Sequence, residues 1–342
     1  MKVREKGITI GKLPAGVKNC ITDVEGVTVG HVTMNFPLDA AGDEYVCTGV
    51  TAILPHKGNL FKEKVTAASY VINGFGKTTG LVQVNELGVL EAPIMLTNTF
   101  AVPAVTQGTL EYMLARNPEI GDTTGTVNIV VGECNDSYLN SIRLFPVKPE
   151  HAIDAIQNAS EHRAEEGAVG AGKGMICFGC KGGIGSSSRM VEEYTMGCLV
   201  LTNFGKKEEL LRFRNSERSA LSETSDGSII IVLATDAPFS DRQLQRVAKR
   251  CGIGLGRTGS HFSHGSGDIV IAFSTAHKIA HFSDEVTEIR KQLREDHPIM
   301  NQLFAAAAEA VEEAIFNSLS QADTTKGRAG RIVHHIDLLK EE

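Results

Sequence analysis

Asp226-Gly227-Ser228-Ile229-Ile230-Ile231-Val232-Leu233-Ala234-Thr235-Asp236-Ala237-Pro238 is a short, β-branched, unbroken apolar run stopped by Asp-Ala-Pro. A run of this length and composition is expected to be a strand buried on both faces, so the sheet holding it must be covered on both sides. Gly227 and Ser228 stand at its mouth. A glycine there permits backbone angles closed to other residues and leaves its own carbonyl open to attack. Two readings follow. In one, Ser228 attacks the Gly227 carbonyl, the chain cuts itself between them, and Ser228 becomes both a new N-terminus and the nucleophile of a hydrolase. In the other, Gly-Ser is a plain turn entering a core strand, which turn statistics favour on these residues alone.

The remaining chain fits a layered α/β protein. Strand-like runs are expected around Val27–Val32, Thr48–Pro55, Ala67–Ile72, Ala92–Asn98, Thr126–Glu133, Cys198–Gly205 and Ile269–Phe273. Helices are expected over 100–116, 149–166, 240–250 and 297–320, with charged, helix-compatible residues at 206–222. Ser240-Asp241-Arg242-Gln243 has capping-box spacing. At 342 residues the chain has room for one large domain or two ordinary ones.

Composition narrows the function. Hydrophobic residues make up 42% and charged residues 22%, as in ordinary globular proteins. Net charge is −7, from 34 basic and 41 acidic residues, with no long basic run, which argues against a nucleic-acid partner. No stretch approaches the roughly 18 uninterrupted apolar residues of a membrane span, and the charged start has no apolar core behind it, so a cytoplasmic protein is expected.

Several motifs fail on spacing. Gly74-Phe75-Gly76-Lys77-Thr78 ends like a phosphate cradle, but the required first glycine is Val71, so the loop is read as a backbone turn near a pocket. Gly254-Leu255-Gly256-Arg257-Thr258-Gly259 satisfies G-x-G-x-x-G but follows a helix and precedes a strand, the reverse of a dinucleotide site. Cys177-Phe178-Gly179-Cys180 lacks a second pair for zinc, and the seven scattered cysteines are read as reduced thiols. His277 and His281 are four apart, but Lys278 stands where a zincin helix needs Glu. No metal and no cofactor is expected.

A serine hydroxyl needs a base nearby, and a serine at a chain terminus brings its own α-amino group, with an ordinary pKa of about 7.7–8.0. Developing oxyanion charge needs fixed donors. Candidates lie where strands end: Asn203, Tyr138, and the segment Ser266-Gly267-Asp268. Each taken singly also fits an ordinary turn or a half-buried aromatic.

The Asp226–Pro238 stretch resembles the self-processing site of the serine peptidase family that contains L-aminopeptidase/D-esterase-amidase and the β-peptidyl aminopeptidases. The blocks Asn19–Val29, Thr97–Pro103, Glu133–Arg143, Gly170–Arg189, Leu199–Gly205 and Gly265–Ala276 resemble that family in the same order, from about residue 10 to 320. The resemblance implies a four-layer αββα sandwich, related to N-terminal nucleophile hydrolases and ornithine acetyltransferase. It implies one catalytic domain over 1–342, processed into 1–227 and 228–342, in a tetramer of such pairs. Carried over by residue, Ser228 is the nucleophile after Gly227, and Ser266 and Asp268 orient it and its amine. Asn203 is an oxyanion donor, Tyr138 is a second contact to the acyl group or its oxyanion, and Glu133 or Asp136 binds the substrate's ammonium. The substrate class is small peptides and aminoacyl amides or esters. Aspartate at 268, where the family often has glutamate, is a departure, as are Cys180 in place of an aromatic residue and the loop Gly74–Lys77. An acyltransferase of the ornithine acetyltransferase type and an unprocessed scaffold of the same fold are the alternatives.

Overall fold

The computed structural model describes residues 1–210 and 227–338. The strands that build the fold are β1 (Thr28–Pro37), β2 (Tyr45–Leu54), β3 (Glu63–Gly74), β4 (Val89–Leu90), β5 (Ile94–Asn98), β6 (Val130–Cys134), β7 (Ile176–Cys177), β8 (Cys180–Lys181), β9 (Ile184–Val191), β10 (Tyr194–Asn203), β11 (Ser228–Thr235) and β12 (Gly267–Ala280). The helices are α1 (Leu81–Leu87), α2 (Val102–Arg116), α3 (Pro149–Gln157), α4 (Asp241–Ala248), α5 (Cys251–Thr258) and α6 (Ile299–Ser320).

Two sheets carry the architecture. One has the order β1-β2-β5-β6, the other β4-β3-β12-β11-β10-β9. Most neighbours are antiparallel, while β5 pairs with β6 and β11 with β12 in parallel. The apolar run in β11 explains how the layers stack. Ile229, Ile231 and Leu233 face α4, α5 and α6, beside Leu244, Leu255 and Leu303. The intervening Ile230 and Val232 face the other sheet, beside Ile53, Leu96 and Val130. Alternation along a strand sends successive side chains to opposite faces, so an all-apolar strand needs cover on both. Each of these side chains is at most 1% exposed, and burying one stabilises by about 1.5–3 kcal/mol. A third core on the far face of the smaller sheet joins Val50, Ala52 and Met95 to Val105, Met113 and Ile156 of α2 and α3. The layers are therefore helices, sheet, sheet, helices, the αββα order expected from the resemblance.

One local expectation is corrected, and two motifs rejected on spacing find their structural basis. The helix expected over 149–166 stops at Gln157, and the chain then bridges to β1 through Val29 and Ser160. The glycines of 254–259 do not form a loop: most lie inside α5, which packs on α6. A Cβ on Gly254 would sit 2.3 Å from the Ala308 carbonyl oxygen, so glycine there permits close helix packing. Cys177-Phe178-Gly179-Cys180 is the tip of the β7–β8 hairpin, with Phe178 at φ 49° and Gly179 at φ 69°, the left-handed pair that two-residue hairpin turns require. Of the segment read as helix-compatible, Lys207–Glu209 form a 3-10 turn, and residues 211–222 lie outside the described residues.

Candidate active site

Three strand ends meet at one edge of the larger sheet. Ser228 begins β11, and its register partners are Asn203, the last residue of β10, and Gly267, the first of β12. Directly opposed residues on paired strands lie about 5 Å apart, so the pairing alone brings Asn203 beside Ser228. Ser228 itself is buried, 7% exposed. The Gly267 N–H points at both the Gly227 carbonyl oxygen, at 3.1 Å, and Ser228 Oγ, at 3.3 Å.

Gly227 is constrained by crowding: a Cβ there would lie 2.8 Å from Phe204 Cα and 2.9 Å from Phe204 Cβ.

Asn203 is held from two sides. Its Oδ1 accepts from the Ile176 N–H at 3.0 Å, and its Nδ2 donates to the Asn135 carbonyl at 3.0 Å. These contacts turn the amide so that its NH₂ end, the donor end, lies toward the loop after β6.

Ser266 and Asp268 flank Gly267. Ser266 Oγ donates to Asp268 Oδ1 at 2.6 Å, while buried Asp268 Oδ2 has no hydrogen-bond partner among the described residues. Burial raises the Asp268 pKa to about 6, against the lowering effect of the Ser266 hydroxyl. The Asn73 side chain fixes this turn by donating to the Ser266 and Ser263 carbonyls.

The acidic candidates differ. Glu133, in β6, is buried; its Oε1 accepts from the Lys77 N–H at 2.9 Å and its Oε2 from the Thr99 hydroxyl. The glycine loop around Gly76 thus serves this carboxylate. A Cβ on Gly76 would sit 3.3 Å from Gly267 Cα and 3.8 Å from Glu133 Oε1, which puts Glu133 close to the mouth of β12. Asp136 is fully buried, accepts from Asn140 Nδ2 at 3.0 Å, and has its pKa raised to about 7 by that burial. It lies under Gly174, where a Cβ would meet the Asp136 Cβ at 2.7 Å. Asp136 is thereby enclosed by protein on its loop's inner side.

Tyr138 is half exposed, with its ring under the Arg331 guanidinium at 4.6 Å. It lines a cavity of about 630 Å³ together with Ile176, Ile332 and His334. His277 and His281 are engaged elsewhere, on the Lys291 carbonyl and the Thr124 hydroxyl.

Two contributors escaped the sequence reading: the Gly267 N–H and the β7–β8 hairpin that holds Asn203. Both act through main-chain groups, which residue identity does not reveal.

The family described as Peptidase family S58 matches residues 19–333. The chain is 38% identical to the β-peptidyl aminopeptidase BapA of Sphingosinicella microcystinivorans, with 98% of this chain and 89% of that protein covered. Among solved structures, the PH0078 protein from Pyrococcus horikoshii OT3 superposes with a TM-score of 0.90 at 50% identity, covering 98% of this chain and 96% of that one. The L-aminopeptidase D-Ala-esterase/amidase of Ochrobactrum anthropi, described as a prototype for the serine aminopeptidases and a variant of the Ntn hydrolase fold, superposes with a TM-score of 0.88 at 33% identity, covering 99% of this chain and 96% of that one. With likeness along nearly its whole length and the αββα layers in place, the chain belongs to peptidase family S58 and is a serine-peptidase hydrolase of the aminopeptidase/amidase type.

Proposed function

We propose that the chain activates itself by cutting between Gly227 and Ser228, and that Ser228 then removes N-terminal residues from small peptides and from aminoacyl amides and esters. The observation that carries this reading is the Gly267 N–H, directed at both the Gly227 carbonyl oxygen and Ser228 Oγ. In the uncut chain, attack of Ser228 Oγ on the Gly227 carbonyl builds negative charge on an oxygen that already faces a fixed donor. The Ser228 hydroxyl proton passes to the peptide nitrogen as the C–N bond breaks, which frees the Ser228 amine and leaves Gly227 esterified to Ser228 Oγ until water hydrolyses the ester and releases the Gly227 carboxylate. The products are 1–227 and 228–342, two segments of one catalytic domain.

Turnover repeats this chemistry on substrate. The freed amine takes the proton from Ser228 Oγ as the oxygen attacks the substrate carbonyl. Asn203 Nδ2 stabilises the oxyanion, with Tyr138 as a further contact to the acyl group. The new ammonium passes its proton to the departing amine, and water then hydrolyses the acyl-Ser228 ester. Asp268, beside Ser266, stabilises the ammonium form of the terminal amine. Glu133 takes the substrate's own ammonium. Its position near Gly267 supports this choice over Asp136, whose carboxylate is enclosed. Likeness to a β-peptidyl aminopeptidase supports β-aminoacyl substrates within this class. Assembly as a tetramer of processed pairs belongs to the same reading, and sedimentation of the purified protein measures it.

The test is hydrolysis of L-α, D-α and β-aminoacyl p-nitroanilides by the processed protein. The reading expects release from substrates with a free amine, and none from the same compounds after N-acetylation. Equal release from both kinds would overturn it.

A further inference from the structure

Lys181 is fully buried, and its Nζ lies against three main-chain carbonyls: Gly172 at 3.0 Å, Met175 at 2.7 Å and Gly182 at 2.7 Å. Among the described residues it makes no ion pair. An ammonium taken out of water without a counter-ion is expensive, so its site must repay the cost through these contacts. Burial pulls its pKa down to about 7, while three carbonyl acceptors match the three N–H donors of the protonated form.

The middle acceptor links Lys181 to the active site. The Met175 carbonyl and the Ile176 N–H are the two ends of one peptide group. Lys181 holds the oxygen end at 2.7 Å, and the nitrogen end donates to Asn203 Oδ1 at 3.0 Å. Peptide groups are planar, so fixing the oxygen fixes the direction of the N–H. A cation on the oxygen also polarises the group and strengthens its N–H as a donor. The same hairpin carries both ends, since Ile176 and Lys181 are register partners across β7 and β8. Gly182 N–H adds a weaker contact to the Met175 oxygen at 3.3 Å.

We infer that Lys181 is a positioning residue for the oxyanion donor: through the Met175–Ile176 peptide it holds Asn203 with its amide NH₂ turned toward the reacting carbonyl. The inference rests on the proposed role of Asn203. It says why a lysine is buried behind the site: an apolar residue would fill the same space but take the side-chain donor away from all three carbonyls.

The test is a double-mutant cycle on aminoacyl p-nitroanilide hydrolysis, with kcat expressed per processed site. Lys181→Met is expected to lower kcat about 30- to 100-fold with KM changed less than threefold. Lys181→Arg, which keeps the charge and the donors, is expected to recover most of the loss. In an Asn203→Ala background, Lys181→Met is expected to change kcat less than threefold, because the residue it acts through is gone. Multiplicative losses, or a Lys181→Met loss confined to KM, would overturn the inference. An Asn203→Ala protein with wild-type kcat would instead overturn the role of Asn203, a separate result. If Lys181→Met does not fold, Lys181→Gln, which loses the charge and retains two N–H donors, is carried through the same cycle under the same criteria.

Discussion

Ser266 Oγ donates a 2.6 Å hydrogen bond to Asp268 Oδ1, and the two residues flank Gly267, the strand partner of Ser228. The other Asp268 oxygen is buried without a hydrogen-bond partner among the described residues. A carboxylate so placed is poorly solvated in the uncut chain and ready to receive a cation. The proposed cleavage would supply one, the Ser228 ammonium, at the adjoining strand end.

That arrangement has a pH signature. Burial raises the Asp268 pKa to about 6 in the folded chain, above the roughly 3.9 of an unfolded aspartate. The folded state therefore favours the protonated carboxyl. Any stability from this preference is fully present below the unfolded pKa and is lost as pH rises through about 6. In uncleavable Ser228→Ala protein, Asp268→Asn removes the penalty. It is expected to raise stability by about 1–3 kcal/mol at pH 8 and by little at pH 4. Denaturant unfolding at the two pH values measures the difference, and an equal effect at both would contradict the assignment.

Asn203 is expected to act on the transition state rather than on binding. Removing one oxyanion donor typically costs about 10²–10³ in kcat. Asn203→Ala should show such a loss with KM nearly unchanged, as measured by steady-state hydrolysis of an aminoacyl p-nitroanilide. A raised KM with normal kcat would assign Asn203 to substrate binding.

Glu133 is expected to recognise the substrate amine. A hydrogen bond to a charged group contributes about 1.5–3 kcal/mol, or roughly 10- to 100-fold in kcat/KM. Glu133→Gln should lose that much on free-amine substrates, and its preference over N-acetylated analogues should shrink. The Lys77 N–H can still donate to the glutamine oxygen and the Thr99 hydroxyl can accept from its NH₂, so the fold should tolerate the change.

Gly227 is constrained by space. An added Cβ would stand 2.8 Å from Phe204 Cα, so Gly227→Ala must displace the entry to β11. Displacement of a reacting group by about 1 Å can cost 10²-fold in rate. Cleavage of freshly translated Gly227→Ala chain, followed by denaturing electrophoresis, is expected to be slower by about that factor. Cleavage at the wild-type rate would mean that the carbonyl need not be held where it is seen.

The legible parts of this molecule were those written in side chains. The run Ile229–Leu233 announced a doubly covered strand because each of its residues faces an apolar core. Asn203, Ser228 and Ser266–Asp268 stood out because strands end there, and sheet register brings those ends together. The resemblance supplied the order of the blocks and the layered fold. What stayed hidden depends on main-chain groups or on depth. Nothing in the letter for Gly267 reports where its N–H points. Asp136 and Glu133 are three residues apart in one segment, yet one is enclosed under Gly174 and the other reaches the mouth of β12. Cys177 and Cys180 mimicked a metal pair because a two-residue hairpin turn has the same spacing. The glycines of 254–259 mimicked a nucleotide loop because close helix packing also favours glycine.

The central claim is that Ser228 becomes the active nucleophile only by severing its own chain. Intact-mass spectrometry of active wild-type protein and of Ser228→Ala, with activity measured on the same samples, tests it most directly. The full chain is 36.7 kDa, and division in proportion to chain length gives fragments of about 24 and 12 kDa for 1–227 and 228–342. The account predicts those two fragments in active wild-type protein, and a single inactive full-length species in Ser228→Ala. Full wild-type turnover from an uncut chain, or hydrolysis by Ser228→Ala, would contradict it.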